Sequence, residues 1–506
     1  TFTHPMTSPS TILIARFESI LGSSQVLADP ASCAAYAVDE ILPSAVVKPI
    51  SAEQIAEIVR LASLEKLALI PCGNRTKLNI GMPPSRYDIA LDLTALKQIP
   101  HYDPGDLTVS ADAGTPLTKL HSVLCEHNQF LPLLVPWYSR STIGGTIASG
   151  LHSPLQQFYG TARDFLIGAE FVTASGALTK SGGRVVKNVT GYDLHKLLIG
   201  SLGSLAVITR LNFRTFPAPI AGSRGFVASF PSAEGALALR RAIAKSSLTP
   251  LTHDIISPEL AQIFATRTPS TQETAVFAGE NHTPSHTSLP PIGDWFSSRE
   301  WQLCAAFAGT PEVLTRYARE LTLLAERSRA NSTTILDDAT RPAFWGRLRE
   351  SLSLFLEASP TTAIFKISVL PSHHATLFES LRQIADHAAL PHALVARAGG
   401  TIYFALLPAS ANEETISPLA HCSTRIFNAV SAAGGPDPRN RGYATLLFAP
   451  LALKQKISIG GPHPAAPAAS RLSASSRPEQ VPGLALMRRL KSAFDPQNIL
   501  APGRIS

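Results

Sequence analysis

The sequence predicts an α+β protein of two main domains, and three observations carry that reading. The chain has 506 residues, too many for one compact core and enough for two or three domains. Apolar residues make up 45% and charged residues 16%, a balance that suits large buried interiors and excludes wholesale disorder. Strand-like and helix-like patterns alternate up to Phe216, break at Pro217 and Pro219, and then resume.

The elements follow in order. Ala45–Lys48 reads as a short strand. Ser51-Ala52-Glu53-Gln54 then forms a capping box, and Ile55, Ile58, Val59 and Ala62 share one helical stripe. Leu67–Ile70 is the next strand, broken by Pro71–Thr76. Ile89–Leu93 and Leu107–Ala111 are further strands, and Gly114–Gln129 is a helix entered through Thr115-Pro116. After the break come Gly225–Phe230 (strand) and Ser232–Lys245 (helix), then a Thr/Ser/Pro-rich loop, Thr266–Pro291. Leu303–Ala308, Ala363–Leu370 and Thr401–Leu407 are strands alternating with helices Pro311–Arg327 and His374–His387, an order that suits a sheet with helices on one face. The Ala/Pro/Ser/Gly-rich stretch Gly460–Pro478 reads as a linker. A last helix carries Leu486, Met487, Leu490 and Phe494 on one face and stops at Asp495-Pro496. The expected division is therefore 1–35 (helical lead-in), 36–217, 218–459, 460–480 (linker) and 481–506.

Charge and cysteines exclude several functions. The net charge is 44 − 37 = +7, but the basic residues are scattered, with no Lys/Arg run interleaved with aromatics, so nucleic acid is not an expected partner. Cys33, Cys72, Cys125, Cys304 and Cys422 lie far apart and form no CxxC, which speaks against an iron–sulfur or zinc site within this chain; no metal is expected. An odd, dispersed set suits a reducing compartment, so the cytoplasm is the expected location. No stretch reaches membrane-spanning length: the most apolar window, Leu194–Thr209, contains His195 and Lys196. The polar start (Thr1, Thr3, His4, Pro5) carries no recognisable secretory signal.

Two glycine-bearing loops are the first candidates for chemistry. One is Gly73-Asn74-Arg75-Thr76-Lys77, straight after a strand. The other is Thr142-Ile143-Gly144-Gly145-Thr146, running on to Ser149-Gly150. A diphosphate needs close backbone approach and several N–H donors, which glycine permits because no Cβ intervenes. Gly144-Gly145 would open a helix, and the hydroxyls of Thr76, Thr142, Thr146 and Ser149 would add donors. Taken singly, each loop is more often a plain tight turn, and neither matches a Walker loop or a GxGxxG fingerprint.

A third stretch, Arg184-Val185-Val186-Lys187-Asn188-Val189-Thr190-Gly191-Tyr192-Asp193-Leu194 with Gly200-Ser201-Leu202-Gly203, brings a family into view. Together with Tyr159–Asp164 and the closing Leu490–Pro496, it resembles flavoproteins of the vanillyl-alcohol-oxidase type, with the FAD-binding domain of p-cresol methylhydroxylase (PCMH-type). Within that family it is most similar to the FAD-binding E subunits of bacterial glycolate oxidase. The likeness covers about Tyr36 to Pro217 and the last ~25 residues. In the middle it rests on the order of elements and on Phe365–Pro371.

The resemblance implies a PCMH-type FAD-binding domain of two α+β subdomains, an α+β cap, and a C-terminal helix returning to the FAD domain. It implies FAD, with Gly73–Lys77 and Thr142–Thr146 around the pyrophosphate. Ser149 and Gly150 would lie along the flavin, and the Ile208 backbone would meet the adenine. Reduced flavin carries negative charge that a cation stabilises, for which Lys187 and Arg504 are the candidates, with Arg184 behind them. Relatives with covalently held flavin have a His where this chain has Thr76, so the FAD is expected to be non-covalent. The family's closing Asn-Pro-Gly-Arg appears here as Ala501-Pro502-Gly503-Arg504.

The substrate side departs further. Catalytic relatives carry a His-Ala-Gly-Asp-Gly-Asn-type stretch whose histidines hold a metal. Here the nearest stretch is Arg397-Ala398-Gly399-Gly400-Thr401-Ile402-Tyr403, without His, Asp or Asn. Lys366 and Arg397 are weak candidates to hold a carboxylate and His374 a weak candidate base, with a plain helix start the commoner role for His374. His282 and His286 sit in a Pro-interrupted loop and read as solvated. The implied function is the FAD subunit of a 2-hydroxy-acid (glycolate) oxidoreductase complex. Its partners would be a catalytic FAD subunit and an iron–sulfur subunit, in the cytoplasm or peripherally at the inner face of the membrane. Two alternatives stay open: a free-standing FAD-dependent alcohol or hydroxy-acid oxidase, and a non-catalytic assembly subunit with structural FAD. With no evident base or metal, the isolated chain is expected to oxidise glycolate or D-lactate poorly.

Overall fold

The computed structural model describes residues 11–185, 191–219, 222–267, 292–293, 296–338, 340–435, 437, 440–458, 461–462 and 483–505. The expected loop 266–291 (beyond Arg267), the linker 460–480 (apart from 461 and 462), Lys187, His282 and His286 lie outside them.

The first part is built on two sheets. In one, Ala45–Val47, Ile89–Asp92 and Leu69–Cys72 run parallel in that order, with Val26–Leu27 antiparallel at the edge. Helix Ala52–Glu65 starts at Ser51, whose side chain accepts from the Gln54 amide, and it buries the stripe Ile55, Ile58, Val59 and Ala62. The second sheet is antiparallel, in the order His101–Asp103, Thr108–Asp112, Val207–Arg214, Leu166–Val172, Leu178–Gly182. Apolar residues of both sheets meet in one core around Leu91, Val109, Phe171 and Phe213. The helix between Gly114 and Gln129 is shorter than its sequence pattern, Leu117–Cys125.

The second part carries an eight-stranded antiparallel sheet in the order Ser332–Leu336, Ser223–Phe230, Trp301–Ala308, Thr252–Ile256, His392–Ala396, Thr401–Leu406, Ala363–Ser368, Tyr443–Phe448. Helices Ala233–Lys245, Pro311–Arg327, His374–His387 and Glu413–Ala432 cover one face, closing a core of Phe226, Phe365, Leu381 and Ile426. The other face carries more than the sequence led us to expect. Helices Pro258–Thr266, Arg341–Arg349 and Ser351–Ala358 pack on it, and their Phe264, Phe344, Leu348 and Phe355 join the core of the first part. None of the three is among the elements the sequence pattern predicts, and in the middle one Arg341, Arg347 and Arg349 are all buried. Arg347 donates to the Phe264 and Ala343 carbonyls, and Arg349 pairs with the fully buried Glu350.

Helix Leu484–Phe494 is tethered to the first part by Lys491, whose Nζ donates to the Ser204 and Leu500 carbonyls. Leu486 and Met487 stay 55% and 48% exposed, so the apolar face read from the sequence is only partly packed. The tail then docks on the parallel sheet, where Leu69 and Ala501 exchange backbone bonds with Ile499 and Leu69. No helix among the described residues is long and apolar enough to cross a membrane.

Candidate functional site

The two glycine loops come together. Gly73 sits so close to Thr142 that an added Cβ would lie 2.2 Å from its Oγ1, and a Cβ on Gly144 would lie 2.7 Å from that of Ala113. Only glycine allows both approaches. Thr142 caps helix Ile143–Ser149, its Oγ1 accepting from the Gly145 amide. The open side of Gly145 faces a groove shared with Gly73, Thr76, Ala148 and Ser149, and the groove continues past Ala113 and Gly203 to Ile208. Such a Cβ-free channel between two loops fits the narrow diphosphate of a dinucleotide.

The side chains around the groove are less free than the sequence suggested. The Thr146 hydroxyl donates to the Thr142 carbonyl and the Ser149 hydroxyl to that of Thr146, both at 2.9 Å, so these two spend their protons on their own helix. Asn74 and Arg75 are exposed at the mouth. Arg75 takes a left-handed φ of 62°, and its guanidinium lies over the Tyr36 ring at 4.4 Å, whose hydroxyl is bonded to Asp92. Lys77 is buried, bonded to Thr76 and to the Ser141 hydroxyl. Burial pushes the Cys72 thiol well up, which keeps it inert.

Arg504 lines the groove, but its guanidinium donates to the carbonyls of Leu78, Ile80 and Met82. It therefore holds the strand exit from the first loop in shape. Behind it Asp39 receives Lys454 Nζ at 2.7 and 2.8 Å, and Lys454 also donates to the Asn79 carbonyl. Burial lowers Arg504 to about 10 and Lys454 to about 8, each against the pull of Asp39. Arg184 is exposed and lines a separate cleft with His101 and Ser110.

The three weak catalytic candidates separate. Arg397 is 1% exposed and committed to Asp254 at 2.6 Å, with its other arm on the Leu348 carbonyl, and its unpartnered Nε is itself buried, out of reach of a carboxylate. His374 is fully buried on the helix-covered face of the sheet, stacked on Phe378 and bonded to Arg240, away from the first part. Burial, then Arg240, push its ring down to about 3. Lys366 is different. It projects from Ala363–Ser368 toward the first part, where Nζ donates to the Gly150 carbonyl at 3.0 Å and meets His152 Nε2 at 3.2 Å. Burial lowers it to about 8.

His152 was missed in the sequence. It lies two residues beyond Gly150, where the glycine pattern ends, and its partners are more than two hundred residues away. Its Nδ1 meets Thr401 Oγ1 at 3.1 Å, and its amide donates to the Tyr403 hydroxyl at 3.1 Å. It opens on a cavity of about 250 Å³ in the first part, lined also by Gln156, Arg163 and Lys196 and by no acidic side chain. Among the described residues no group of three or more His, Cys, Asp or Glu is placed to hold a metal.

Comparison with known proteins matches this architecture. The family described as "FAD binding domain" matches residues 43–182, and that described as "FAD linked oxidases, C-terminal domain" matches 223–436 and 476–505. The chain is 36% identical over 168 residues to glycolate oxidase subunit GlcE of Escherichia coli, a match covering 33% of this chain and 47% of that protein, about half its length. It is 24% identical to glycolate oxidase subunit GlcD of Bacillus subtilis, across 92% of this chain and 89% of that one. Among solved structures, p-cresol methylhydroxylase with substrate bound superposes with a TM-score of 0.70 at 18% identity, covering 97% and 96% of the two chains. An alkyldihydroxyacetonephosphate synthase gives 0.69 at 15%, covering 98% of this chain and 85% of that one. At such identities these two establish the PCMH-type fold alone.

Proposed function

Because the chain belongs to the FAD-linked oxidases, joining their FAD-binding domain to their C-terminal domain, we infer that it is the FAD-binding subunit of a 2-hydroxy-acid oxidoreductase. Glycolate is the leading substrate, and the electrons pass to a partner iron–sulfur subunit. The observation that carries the substrate class is the cavity beside His152: basic Arg163 and Lys196 line it, no carboxylate does, and Lys366 stands behind it. A small anion is favoured there over a neutral alcohol. The partner is supported by the likeness to two glycolate oxidase subunits.

Bound FAD supplies a two-electron acceptor. Gly73–Lys77 and Thr142–Thr146 would enclose its pyrophosphate, with Ser149 and Gly150 along the ring and the Ile208 backbone at the adenine. Thr76 offers no bond to the flavin methyl, so acid precipitation should release all yellow colour to the supernatant. Flavin fluorescence remaining with the denatured chain would refute non-covalent binding.

The functional reading is tested by anaerobic mixing of the flavin-loaded chain, alone and with the co-purifying complex, against 2-hydroxy acids and neutral alcohols. Bleaching of the visible flavin band by glycolate or D-lactate, and not by ethanol, is expected at least in the complex. No bleaching by any 2-hydroxy acid in either preparation would overturn it.

A further inference from the structure

We propose that Lys366 receives the carboxylate of an anionic substrate, and that this exchange turns His152 into the acceptor of the substrate's hydroxyl proton. The inference rests on the 2-hydroxy-acid reading above and gives that site its proton chemistry.

The hydrogen-bond inventory fixes the ring. A lysine ammonium only donates, so His152 Nε2, 3.2 Å from Lys366 Nζ, must present its lone pair, and Nδ1 carries the hydrogen toward Thr401 Oγ1. In the free protein that lone pair is therefore occupied by a cation. The ring is held at about 3 by burial first, then by Lys366 and Arg397. The groups facing it are Lys366, Thr401 and Tyr403 from the sheet, with Arg397 already neutralised by Asp254. Among the described residues neither His152 nor Lys366 has a carboxylate partner.

A substrate carboxylate supplies the missing negative charge. It draws Lys366 Nζ off Nε2 and offsets the cation that adds to the effect of burial, so the lone pair is freed and part of the ring's basicity returns with it. The hydroxyl proton then passes to Nε2 and leaves an imidazolium, and bound FAD would supply the two-electron acceptor for the C2 hydrogen and its bonding pair. The 2-oxo acid remains, and the imidazolium returns its proton to water through the cavity. A neutral alcohol cannot displace the lysine, so it finds no base.

The experiment follows the His152 ring by NMR in the FAD-loaded, 13C-histidine-labelled full chain, its signal assigned by its loss in His152→Asn. Oxalate, an anion with no C–H bond to oxidise, is the probe. Saturating oxalate should raise the proton affinity of His152 at least about tenfold, one unit in its titration midpoint. Lys366→Met should raise the midpoint without oxalate and abolish the response. Lys366→Arg, which keeps the cation, should retain the response and guards against misfolding of the Met variant. A midpoint indifferent to oxalate in the wild type, or an undiminished response in Lys366→Met, overturns the proposal. If oxalate shifts His152 but no 2-hydroxy acid bleaches the flavin, the functional reading fails and the switch stands. If glycolate bleaches the flavin while His152 stays silent, the switch fails and the reading stands.

Discussion

The glycine groove and the seam between the two parts are built by opposite means. The groove is made of backbone: Gly73 and Gly144 bring two short loops into contact, and few side-chain functional groups point into it. The seam is made of side chains that meet across long stretches of sequence. Lys366 reaches Gly150 and His152, Tyr403 accepts from His152, Glu350 accepts from the Trp137 amide, and Lys454 reaches Asp39. A backbone site tolerates polar side-chain changes but no added bulk. A side-chain seam tolerates bulk nearby but not the loss of one charge.

The largest expected effect breaks the groove. Gly145→Val should reduce bound flavin to background while the second part stays folded. The helix holds Gly145 in ordinary geometry, so the harm comes from filling the channel, where a Cβ already lies 3.1 Å from Thr142 Oγ1. The ratio of flavin to protein absorbance is the measurement, and a full flavin complement in the purified variant would refute the backbone account.

The next breaks the seam. Lys454→Met leaves the Asp39 carboxylate buried without its close partner, with only Arg504 at 3.9 Å, and should cost about 3–5 kcal/mol in urea denaturation. Restoring neutrality with Asp39→Asn in the same chain should recover part of that loss. A single variant as stable as the wild type would show that the ion pair is dispensable.

Acid sharpens the contrast without mutation. His152, His253 and His374 are pushed down to between about 3 and 4, by burial first and then by neighbouring cations. An unfolded chain takes up these protons near 6.5, whereas the folded chain stays neutral until far lower. Stability is therefore full above about pH 6.5 and falls as pH drops toward 4. Two of these rings lie in the second part, and His195, also lowered by burial, joins His152 in the first, so both parts should lose stability between pH 7 and 5. A flat denaturation midpoint over that range would contradict the burial of neutral rings.

The smallest expected effect tests the groove from its other side. Ser149→Ala removes a hydroxyl already spent on Thr146, so flavin affinity should change by less than about 0.5 kcal/mol. A tenfold loss, measured by fluorescence titration of the apoprotein, would show that the hydroxyl turns to the cofactor when it binds.

The same contrast explains what could be read in advance. Helices Pro311–Arg327 and His374–His387 have the bounds their periodicity gives, and the glycine loops announce themselves because both loops are local in sequence. The FAD cofactor followed from the family resemblance that those loops and the third stretch carry together. The seam was illegible for the opposite reason. Nothing around His152 signals that Lys366, Thr401 and Tyr403 will face it, since that depends on which edge of an eight-stranded sheet turns toward the first part. Arg397 misled because a buried guanidinium and an anion-binding one look alike until Asp254 is seen beside it. The helix Arg341–Arg349 was not legible either, because its arginines serve buried carbonyls and Glu350 that only the fold brings beside them.

Arg504 makes the first glycine loop depend on a residue far along the chain. Its guanidinium gathers the carbonyls of Leu78, Ile80 and Met82, which leave the first loop, across more than four hundred residues of chain. During synthesis the loop, the glycine helix and the whole eight-stranded sheet emerge before residue 504 does. The wall of the groove therefore stays unbraced until Arg504 has emerged and folded back, so the channel is completed late in synthesis and not as its own two loops appear.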